Sequence, residues 1–235
     1  MHRFFIANFS GNQDFILKDK QLVHQIINVF RAKVGDAFIF FDGKTLFDFV
    51  YKLSKREKNE LHFYFEGKKE KSGLKKEIFL FQALPNKLSK IEYILQKGVE
   101  VGISHFLFFQ AERSQKLIIS PNKEERLLSI MQEALEQSGG NIFPSLQFLD
   151  KNNFDIKEGE TIFFHHEADK KALYLKNIPF GEDEKINIII GPEGGLSEKE
   201  VQVFQEKGYI QSYLGSNILR TETVSSVVGF YILQS

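Results

Sequence analysis

The chain from residue 77 onward alternates short apolar runs with segments that have the spacing of an amphipathic helix. This alternation leaves few possible folds, because strands joined through helices form a mostly parallel sheet that the helices cover. Such sheets bind ligands at the carboxyl ends of their strands. We therefore predict an α/β fold with strands at 77–83, 104–109, 161–164, 186–190 and 209–214, and with helices at 87–98, 123–138 and after each of the last two strands.

Residues 1–70 have a different pattern, in which short strands dominate. Asp42-Gly43 separates two aromatic runs, which is a strong signal for a β-hairpin. Apolar residues at helical spacing between 19 and 30 predict one short helix, and the polar segment 66–76 is typical of a linker. The sequence thus predicts a small β-barrel over residues 1–70 and an α/β domain over residues 71–235.

Charge is distributed unevenly along the chain, although the formal net charge is zero. Residues 1–76 hold 15 Lys and Arg against 9 Asp and Glu, and the remainder holds 16 against 22. The basic N-terminal part favours an anionic partner, although a solvated lysine-rich surface would have the same composition. We expect no secretory signal and no membrane span, since no apolar run approaches the roughly 18 residues that a membrane helix needs. The absence of cysteine excludes disulfides and thiolate chemistry and fits a cytoplasmic protein.

The segment 186–200, INIIIGPEGGLSEKE, ends an apolar strand in a glycine-rich turn and then starts a helix. Ser197 and Glu200 have the spacing of a capping box, and Gly208 is expected to end the helix. A phosphate site is disfavoured, because the turn lacks the known phosphate-binding spacings and Glu193 would repel an anion. The turn 191–195 suits a ligand with a positive centre or with hydrogen-bond donors, although a tight connection without a ligand would have the same residues.

A second strand-end loop repeats this plan at 214–233. Leu214-Gly215 ends a strand, and the helix that follows is predicted to have Thr221 as its N-cap. Arg220 at the start of this helix favours a functional role, because the helix dipole disfavours a cation there. We predict that this loop and the glycine-rich turn frame one pocket.

The segments IIIGPEGGLSEKEV (188–201) and LGSNILRTETVSSVVGFYIL (214–233) together resemble the RNA methyltransferases of the SPOUT superfamily. More narrowly, they resemble the ribosomal RNA small subunit methyltransferase E family. Weaker similarities, such as His2–Phe5 and 29–36, extend the resemblance over nearly the whole chain. The chain departs from the family pattern at Asn217 and Gly140, where arginine is common.

The resemblance implies a mostly parallel sheet with a C-terminal trefoil knot, preceded by a PUA-like β-barrel that helps to hold RNA. It also implies a homodimer with the active site near the interface. The implied reaction is transfer of a methyl group from S-adenosyl-L-methionine to N3 of a uridine in 16S ribosomal RNA, either free or in the small ribosomal subunit.

The resemblance also implies which residues form the site, because they occupy the matching positions of the family motifs. Arg220 or Arg113 is predicted to stabilise the uridine oxygens as N3 loses its proton, with Glu222 orienting the arginine. Glu100 is an alternative acid–base group. The candidates for RNA contacts are Arg3, Arg31 and Arg113, although each would equally suit an ordinary surface ion pair. The predicted cofactor-binding residues are Gly191, Pro192, Glu193, Gly194, Leu214, Gly215, Ile218, Leu219, Arg220 and Thr221.

The segment His165-His166-Glu167 does not predict a metal site, because neighbouring strand residues point to opposite faces of a sheet. We expect it to form a wall of the cofactor pocket, and we expect no metal. Two other functions remain open: a non-catalytic RNA-binding module with a degenerate fold, and a methyltransferase that acts on tRNA. The intact GPEGG and ILRTET segments favour an enzyme over the degenerate module.

Overall fold

A computed structural model of the chain describes residues 1–149, 156, 158–165, 172–181 and 185–235. The described chain forms two units. The first contains Met1–Gly73 together with Gly139–Phe143, and the second contains Leu74–Ser138 and Pro144–Ser235. Within these described stretches, no helix has both the length and the apolar character needed to cross a bilayer.

The first unit is built on a five-stranded sheet that curls into a half-barrel. Its strands are β1 (His2–Phe5), β2 (Phe15–Leu17), β3 (Ala37–Phe41), β4 (Phe47–Arg56) and β5 (Leu61–Glu70). Their order is β1-β3-β4-β5-β2, and only the β1–β3 pair among them is parallel. The predicted helix is present as α1 (Lys20–His24), which continues as one π-helical turn over Gln25–Val29. Aromatic side chains form most of the core of this unit, which accounts for its phenylalanine-rich strands.

The predicted hairpin at Asp42-Gly43 is confirmed, since β3 and β4 pair in antiparallel register. The connection is longer than two residues, and the Asp42 carboxylate accepts hydrogen bonds from the backbone N–H groups of Lys44 and Thr45 at 2.9 and 2.8 Å. The predicted linker at 66–76 is wrong over its first part, because β5 continues to Glu70 and pairs there with the start of β4.

The second unit contains a seven-stranded sheet in which every described pairing is parallel. Its strands are β6 (Glu77–Ala83), β7 (His105–Phe109), β8 (Ser145–Phe148), β9 (Glu160–Phe164), β10 (Leu173–Tyr174), β11 (Lys185–Ile190) and β12 (Ile210–Tyr213). Its helices are α2 (Leu88–Val101), α3 (Pro121–Ser138), α4 (Glu198–Glu206) and α5 (Thr221–Gln234), with a 3₁₀ turn at Leu175–Asn177. The predicted α/β class is confirmed, whereas the short edge strands β8 and β10 were missed.

The strand order of this sheet, β10-β12-β9-β11-β6-β7-β8, differs from the order along the chain. Strand β12 follows β11 in sequence, but β9 lies between them in the sheet. The residues Ile186, Ile188 and Ile189 of β11 are fully buried, as the apolar run predicts for a central parallel strand. As a consequence, the carboxyl ends of β12, β9, β11 and β6 lie side by side.

Candidate active site

A cavity of about 620 Å³ lies at the carboxyl ends of these central strands, within the second unit. Its walls come mainly from the last residues of β9, β11 and β12 and from the segments that follow these strands. The lining residues are Lys90, Phe164, His165, Ile190, Gly191, Pro192, Glu193, Gly194, Gly195, Ser212, Tyr213, Leu214, Gly215, Ser216, Asn217, Ile218, Leu219, Arg220, Thr221 and Val224. All ten predicted cofactor-binding residues are in this set. His165 also lines the cavity, while His166 and Glu167 lie outside the described residues.

The glycine-rich turn is held in shape by its own backbone and by the helix that follows. Gly195 has φ of +72° and donates its N–H to the carbonyl of Pro192 at 2.9 Å. At Gly191, a Cβ atom would stand only 3.0 Å from the backbone nitrogen of Leu196, so a larger residue does not fit without a shift. The predicted capping box of α4 is confirmed, because Ser197 and Glu200 exchange both of its hydrogen bonds.

Thr221 joins the two loops of the cavity instead of capping its helix. Its hydroxyl donates to the carbonyl of Gly191 at 2.7 Å and accepts from Nε2 of Gln82, at the end of β6, at 2.9 Å. The N-cap position of α5 belongs to Arg220, which makes no side-chain capping bond. The prediction of Thr221 as N-cap is therefore wrong, because a buried contact between loops takes its hydroxyl. The contact of Gln82 with Thr221 is also not visible in the sequence, where Gln82 is simply one residue of a predicted buried strand.

Lys90 and Glu193 form an ion pair at the cavity, with Nζ and Oε1 separated by 2.5 Å. Glu193 also accepts from the backbone N–H of Asn86. Burial acts to raise the pKa of Glu193, but the hydrogen bonds from Lys90 and Asn86 outweigh it, so the pKa is lowered. Nζ of Lys90 lies 3.8 Å from Oε2 of Glu222, in the first turn of α5. No sequence signal points to Lys90, because one lysine in the first turn of a helix is an ordinary surface residue.

The predicted catalytic residues are only partly brought together. Arg220 lines the cavity and is exposed, and its guanidinium makes no hydrogen bond or ion pair with the described residues. Arg113 donates to the carbonyl of Gly194 at 3.2 Å, so it lies beside the glycine-rich turn. Glu222 contacts Lys90 and not Arg220, so no described contact supports the predicted orienting role. Glu100 pairs with Lys97 on the surface of α2 and does not line the cavity.

Glu200 fixes the loop that carries Arg113. One carboxylate oxygen completes the capping box, and the other accepts from the backbone N–H of Glu112 at 2.9 Å. The residue that caps α4 therefore also holds the neighbouring loop, next to the turn that Arg113 contacts. Sequence spacing identified the capping role of Glu200 but not this second contact.

The two remaining RNA candidates have contrasting environments in the first unit. The side chain of Arg3 is 11% exposed and forms an ion pair with the buried Asp48 at 3.1 Å. It also donates to the carbonyl of Gly140 and to the side chain of Asn141. These contacts are those of a structural arginine. Arg31 is exposed, which leaves its side chain open to a partner, and its backbone has φ of +54°. Their contact with RNA stays a prediction.

The cavity is suited to S-adenosylmethionine in size and in chemistry. Its volume falls in the range of about 300–1,000 Å³ that small-molecule sites have. Apolar side chains such as Phe164, Ile190 and Leu214 offer a surface for an adenine ring, and the two loops offer backbone groups to its polar edge. Lys90, Glu193 and Arg220 offer both signs of charge to the amino-acid portion.

Comparison with known proteins yields one consistent set of relatives. A family model described as an RNA methyltransferase domain matches residues 72–232. Ribosomal RNA small subunit methyltransferase E 2 of Borreliella burgdorferi is 34% identical over 215 residues, which cover 88% of this chain and 86% of that protein. Ribosomal RNA small subunit methyltransferase E of Bacillus subtilis is 33% identical, over 86% of this chain and 82% of that protein.

Solved structures give the same result over the full chain. Ribosomal RNA small subunit methyltransferase E of Neisseria gonorrhoeae, bound to S-adenosyl methionine, superposes with a TM-score of 0.84 and is 25% identical. This match covers 100% of this chain and 97% of that chain. A putative methyltransferase of Legionella pneumophila, in complex with the bound cofactor, has a TM-score of 0.83 and 25% identity over 99% and 96% of the two chains.

Proposed function

This chain belongs to the ribosomal RNA small subunit methyltransferase E family, and from that membership we propose that it methylates N3 of a uridine in 16S ribosomal RNA. It is an RNA methyltransferase, and its cofactor is S-adenosylmethionine. The observation that carries the proposal is that the glycine-rich turn and the loop after β12 line the same cavity. Hydrogen bonds from Thr221 and Gln82 hold these two segments in one arrangement.

S-adenosylmethionine, when bound, supplies an electrophilic methyl group attached to a sulfonium. The protein has to align the acceptor nitrogen with this group and to stabilise the charge that develops as N3 loses its proton. Backbone groups of Gly191, Gly194 and the loop after β12 would hold the cofactor. Because they belong to the backbone, the site depends on loop shape more than on any one side chain.

Arg220 is the best candidate for stabilising the uridine oxygens. It lines the cavity, it is exposed, and the described residues leave its guanidinium without an ion-pair partner. Arg113 is the second candidate, since it lies beside Gly194. Glu222 would act through Lys90, whose charge it shares with Glu193. These assignments are proposals for the roles of the residues in the reaction.

The first unit is proposed as the RNA-binding, PUA-like domain, with its boundary near residue 70. Its excess of lysine and arginine supports this role, because basic patches attract the phosphate backbone without regard to sequence. Arg31 is a stronger candidate for a phosphate contact than Arg3, whose guanidinium is engaged with Asp48. A cytoplasmic location is proposed because the substrate is ribosomal RNA.

A homodimer is proposed on the basis of the family resemblance and of exposed apolar residues on two packed helices. Val227 and Phe230 on α5 are 42% and 57% exposed, and Tyr93 on α2 is 43% exposed. Helix α5 packs against α2, and each helix exposes at least one of these apolar side chains. Exposed groups of large apolar residues commonly mark association surfaces. The start of α5 also lines the cavity, which agrees with an active site near the interface.

The experiment that tests the proposed function uses labelled S-adenosylmethionine with small ribosomal subunits, free 16S ribosomal RNA and tRNA in parallel. Mass spectrometry then locates the methyl group. We expect label on N3 of one uridine in 16S ribosomal RNA. Label on a ribose, or on tRNA only, would refute the proposal. If calorimetry detected no cofactor binding, the non-catalytic module would be favoured instead.

The role of Arg220 is tested with Arg220→Ala under saturating cofactor. Loss of a group that stabilises developing charge typically lowers kcat by about a hundredfold to a thousandfold. The matched control is Arg126→Ala on α3, which removes an exposed arginine paired with Glu92 outside the cavity. We expect the control to retain wild-type turnover. Unchanged turnover in Arg220→Ala, with the cofactor still bound, would refute the assignment.

A further inference from the structure

The cavity has an apolar end and a charged end, and the strand order separates them. Phe164 and Tyr213 are the last residues of β9 and β12, and Leu214 follows β12. By contrast, Glu193 follows β11, and Lys90 belongs to the helix after β6. The sheet order is β12-β9-β11-β6. Because neighbouring strands lie about 4.8 Å apart, the outer two of these four strands are roughly 14 Å apart. The two ends of the cavity therefore suit the two ends of an elongated ligand.

The charged end is built from elements that are tied to one another. Glu193 is joined to the start of α2 by the side chain of Lys90 and the backbone N–H of Asn86. The start of α5 is held at the same end by the bonds from Thr221 to Gly191 and from Gln82 to Thr221. As a result, the charged residues occupy a defined place at the cavity and are not spread along a mobile surface.

The Lys90–Glu193 pair keeps hydrogen-bonding capacity for a further partner. A lysine ammonium has three N–H donors, and a carboxylate accepts at about four positions. In the described structure Lys90 uses one donor on Glu193, and its separation of 3.8 Å from Glu222 is too long for a second hydrogen bond. Among the described residues, the Glu193 carboxylate accepts hydrogen bonds from the side chain of Lys90 and from the backbone N–H groups of Asn86 and of Glu193 itself. Lys90 and Glu193 are 22% and 30% exposed, so both reach the cavity while being partly desolvated.

S-adenosylmethionine has an uncharged adenine at one end and an amino acid at the other, with an α-carboxylate and an α-ammonium. Such a pair of charges is costly to desolvate unless both groups find partners of opposite sign. An ion pair of the protein that lies beside the amino-acid end provides a partner of opposite sign for the α-carboxylate and for the α-ammonium. The four charges then alternate in sign.

We infer that Lys90 and Glu193 together bind the amino-acid end of the cofactor, Lys90 the α-carboxylate and Glu193 the α-ammonium. This inference rests on the proposed function, since it takes S-adenosylmethionine as the ligand. It assigns adenine to the apolar end, beside the last residues of β9 and β12. It also gives a reason for a carboxylate in a glycine-rich turn, which the capping box and the strand do not explain.

The competing role for Lys90 is purely structural. Lys90 lies near both Glu193 and Glu222, so it holds the turn after β11 close to the first turn of α5. If that were its only role, its loss would disturb the whole cavity. The affinity for any ligand of the cavity would then fall, whether or not the ligand has an amino-acid end.

Two ligands separate these roles in isothermal titration calorimetry. S-adenosylhomocysteine keeps the amino-acid end, whereas 5′-methylthioadenosine lacks it and keeps the adenosine and the sulfur. We expect Lys90→Met and Glu193→Gln each to weaken S-adenosylhomocysteine by about tenfold to a hundredfold, the range for loss of a hydrogen bond to a charged group. We expect 5′-methylthioadenosine to change by less than about twofold, since it makes no contact with either residue.

The control variant is Arg126→Met, which removes the cation of the Arg126–Glu92 ion pair outside the cavity and should leave both affinities unchanged. Circular dichroism of each variant shows that the fold is retained. An equal loss of affinity for both ligands, or no loss for S-adenosylhomocysteine, would overturn the inference. If the wild-type protein bound neither ligand, the proposed function itself would fail, and the inference with it.

Discussion

The hydroxyl of Thr221 is predicted to hold the two loops of the cavity together, and Thr221→Val removes it with almost no change in volume. Thr221 is 7% exposed, and the variant loses two buried hydrogen bonds, to Gly191 and from Gln82. Each bond contributes about 0.5–1.5 kcal/mol, so the expected loss in the free energy of unfolding is about 1–3 kcal/mol. The upper half of this range is favoured, because the carbonyl of Gly191 is left with only the longer 3.4 Å contact from Gln82.

Urea unfolding followed by far-ultraviolet circular dichroism measures this loss. The four longest helices lie in the second unit, so the helical signal reports mainly on the unit that contains Thr221. With an m-value of about 3 kcal/mol/M, the midpoint should fall by about 0.3–1 M. The affinity for S-adenosylmethionine should fall as well, because both loops line the cavity.

Thr223→Val is the matched control, since Thr223 lies in the same first turn of α5 and its hydroxyl makes no hydrogen bond with the described residues. We expect a change within about 0.5 kcal/mol for this variant, as for an ordinary partly exposed position. If Thr221→Val unfolded at the midpoint of the wild type, the hydroxyl would not be what holds the loops, and the reasoning would be refuted. A loss of the same size in Thr223→Val would show instead that valine at this helix start is itself unfavourable.

Three further predictions concern stability. Asp48→Ala should destabilise the first unit by about 3–5 kcal/mol, because it leaves Arg3 and Lys71 without their buried carboxylate, and urea unfolding checks this. Ser197→Ala should lower the free energy of unfolding by about 1 kcal/mol through loss of the α4 cap, while Ser197→Thr, measured by the same method, should retain most of it. Glu193→Gln should be less stable than the wild type at neutral pH. In the folded protein the pKa of Glu193 lies below its ordinary value of 4.5, so the ionised carboxylate stabilises the fold above that pH. Thermal melts should therefore show the stability difference between wild type and variant vanishing as the pH falls through the folded pKa.

The sequence predicted those elements whose burial is regular. The run 77–83 coincides with β6, and the isoleucines of β11 are buried on both faces, so period and length identify both strands. Strands β8 and β10 have four and two residues at the edges of the sheet, where a strand is neither long enough nor buried enough to leave a pattern. The strand order also could not be read from periodicity, because that signal describes the faces of one element and not its neighbours.

The candidate site shows a similar division. Backbone requirements were visible in the sequence, since glycine spacing and a capping box mark the turn at 191–195 and the start of α4. Side chains that act across elements were not visible. Gln82 and Lys90 lie more than 100 residues before their partners Gly191 and Glu193, and nothing local distinguishes either from a core or surface residue. Thr221 was recognised as important but was given the wrong partner, because a local cap and a distant carbonyl compete for the same hydroxyl.

These long-range contacts explain how a site made largely of backbone can keep its shape. A loop of glycines has the greatest conformational freedom in the unfolded chain, so ordering it is costly, and the loop has few side chains of its own to offset that cost. The protein instead fixes the loop from outside, through Thr221 and Gln82 at Gly191, and through Lys90 and Asn86 at Glu193. Thr221 and Lys90 belong to helices, Gln82 to strand β6, and Asn86 to the short connection between β6 and α2. It follows that substitutions at the anchors should weaken binding through loop disorder, whereas substitutions at the exposed Ile218 should change only the ligand contact. The two classes are distinguishable, because only the first should also lower the midpoint of unfolding without ligand.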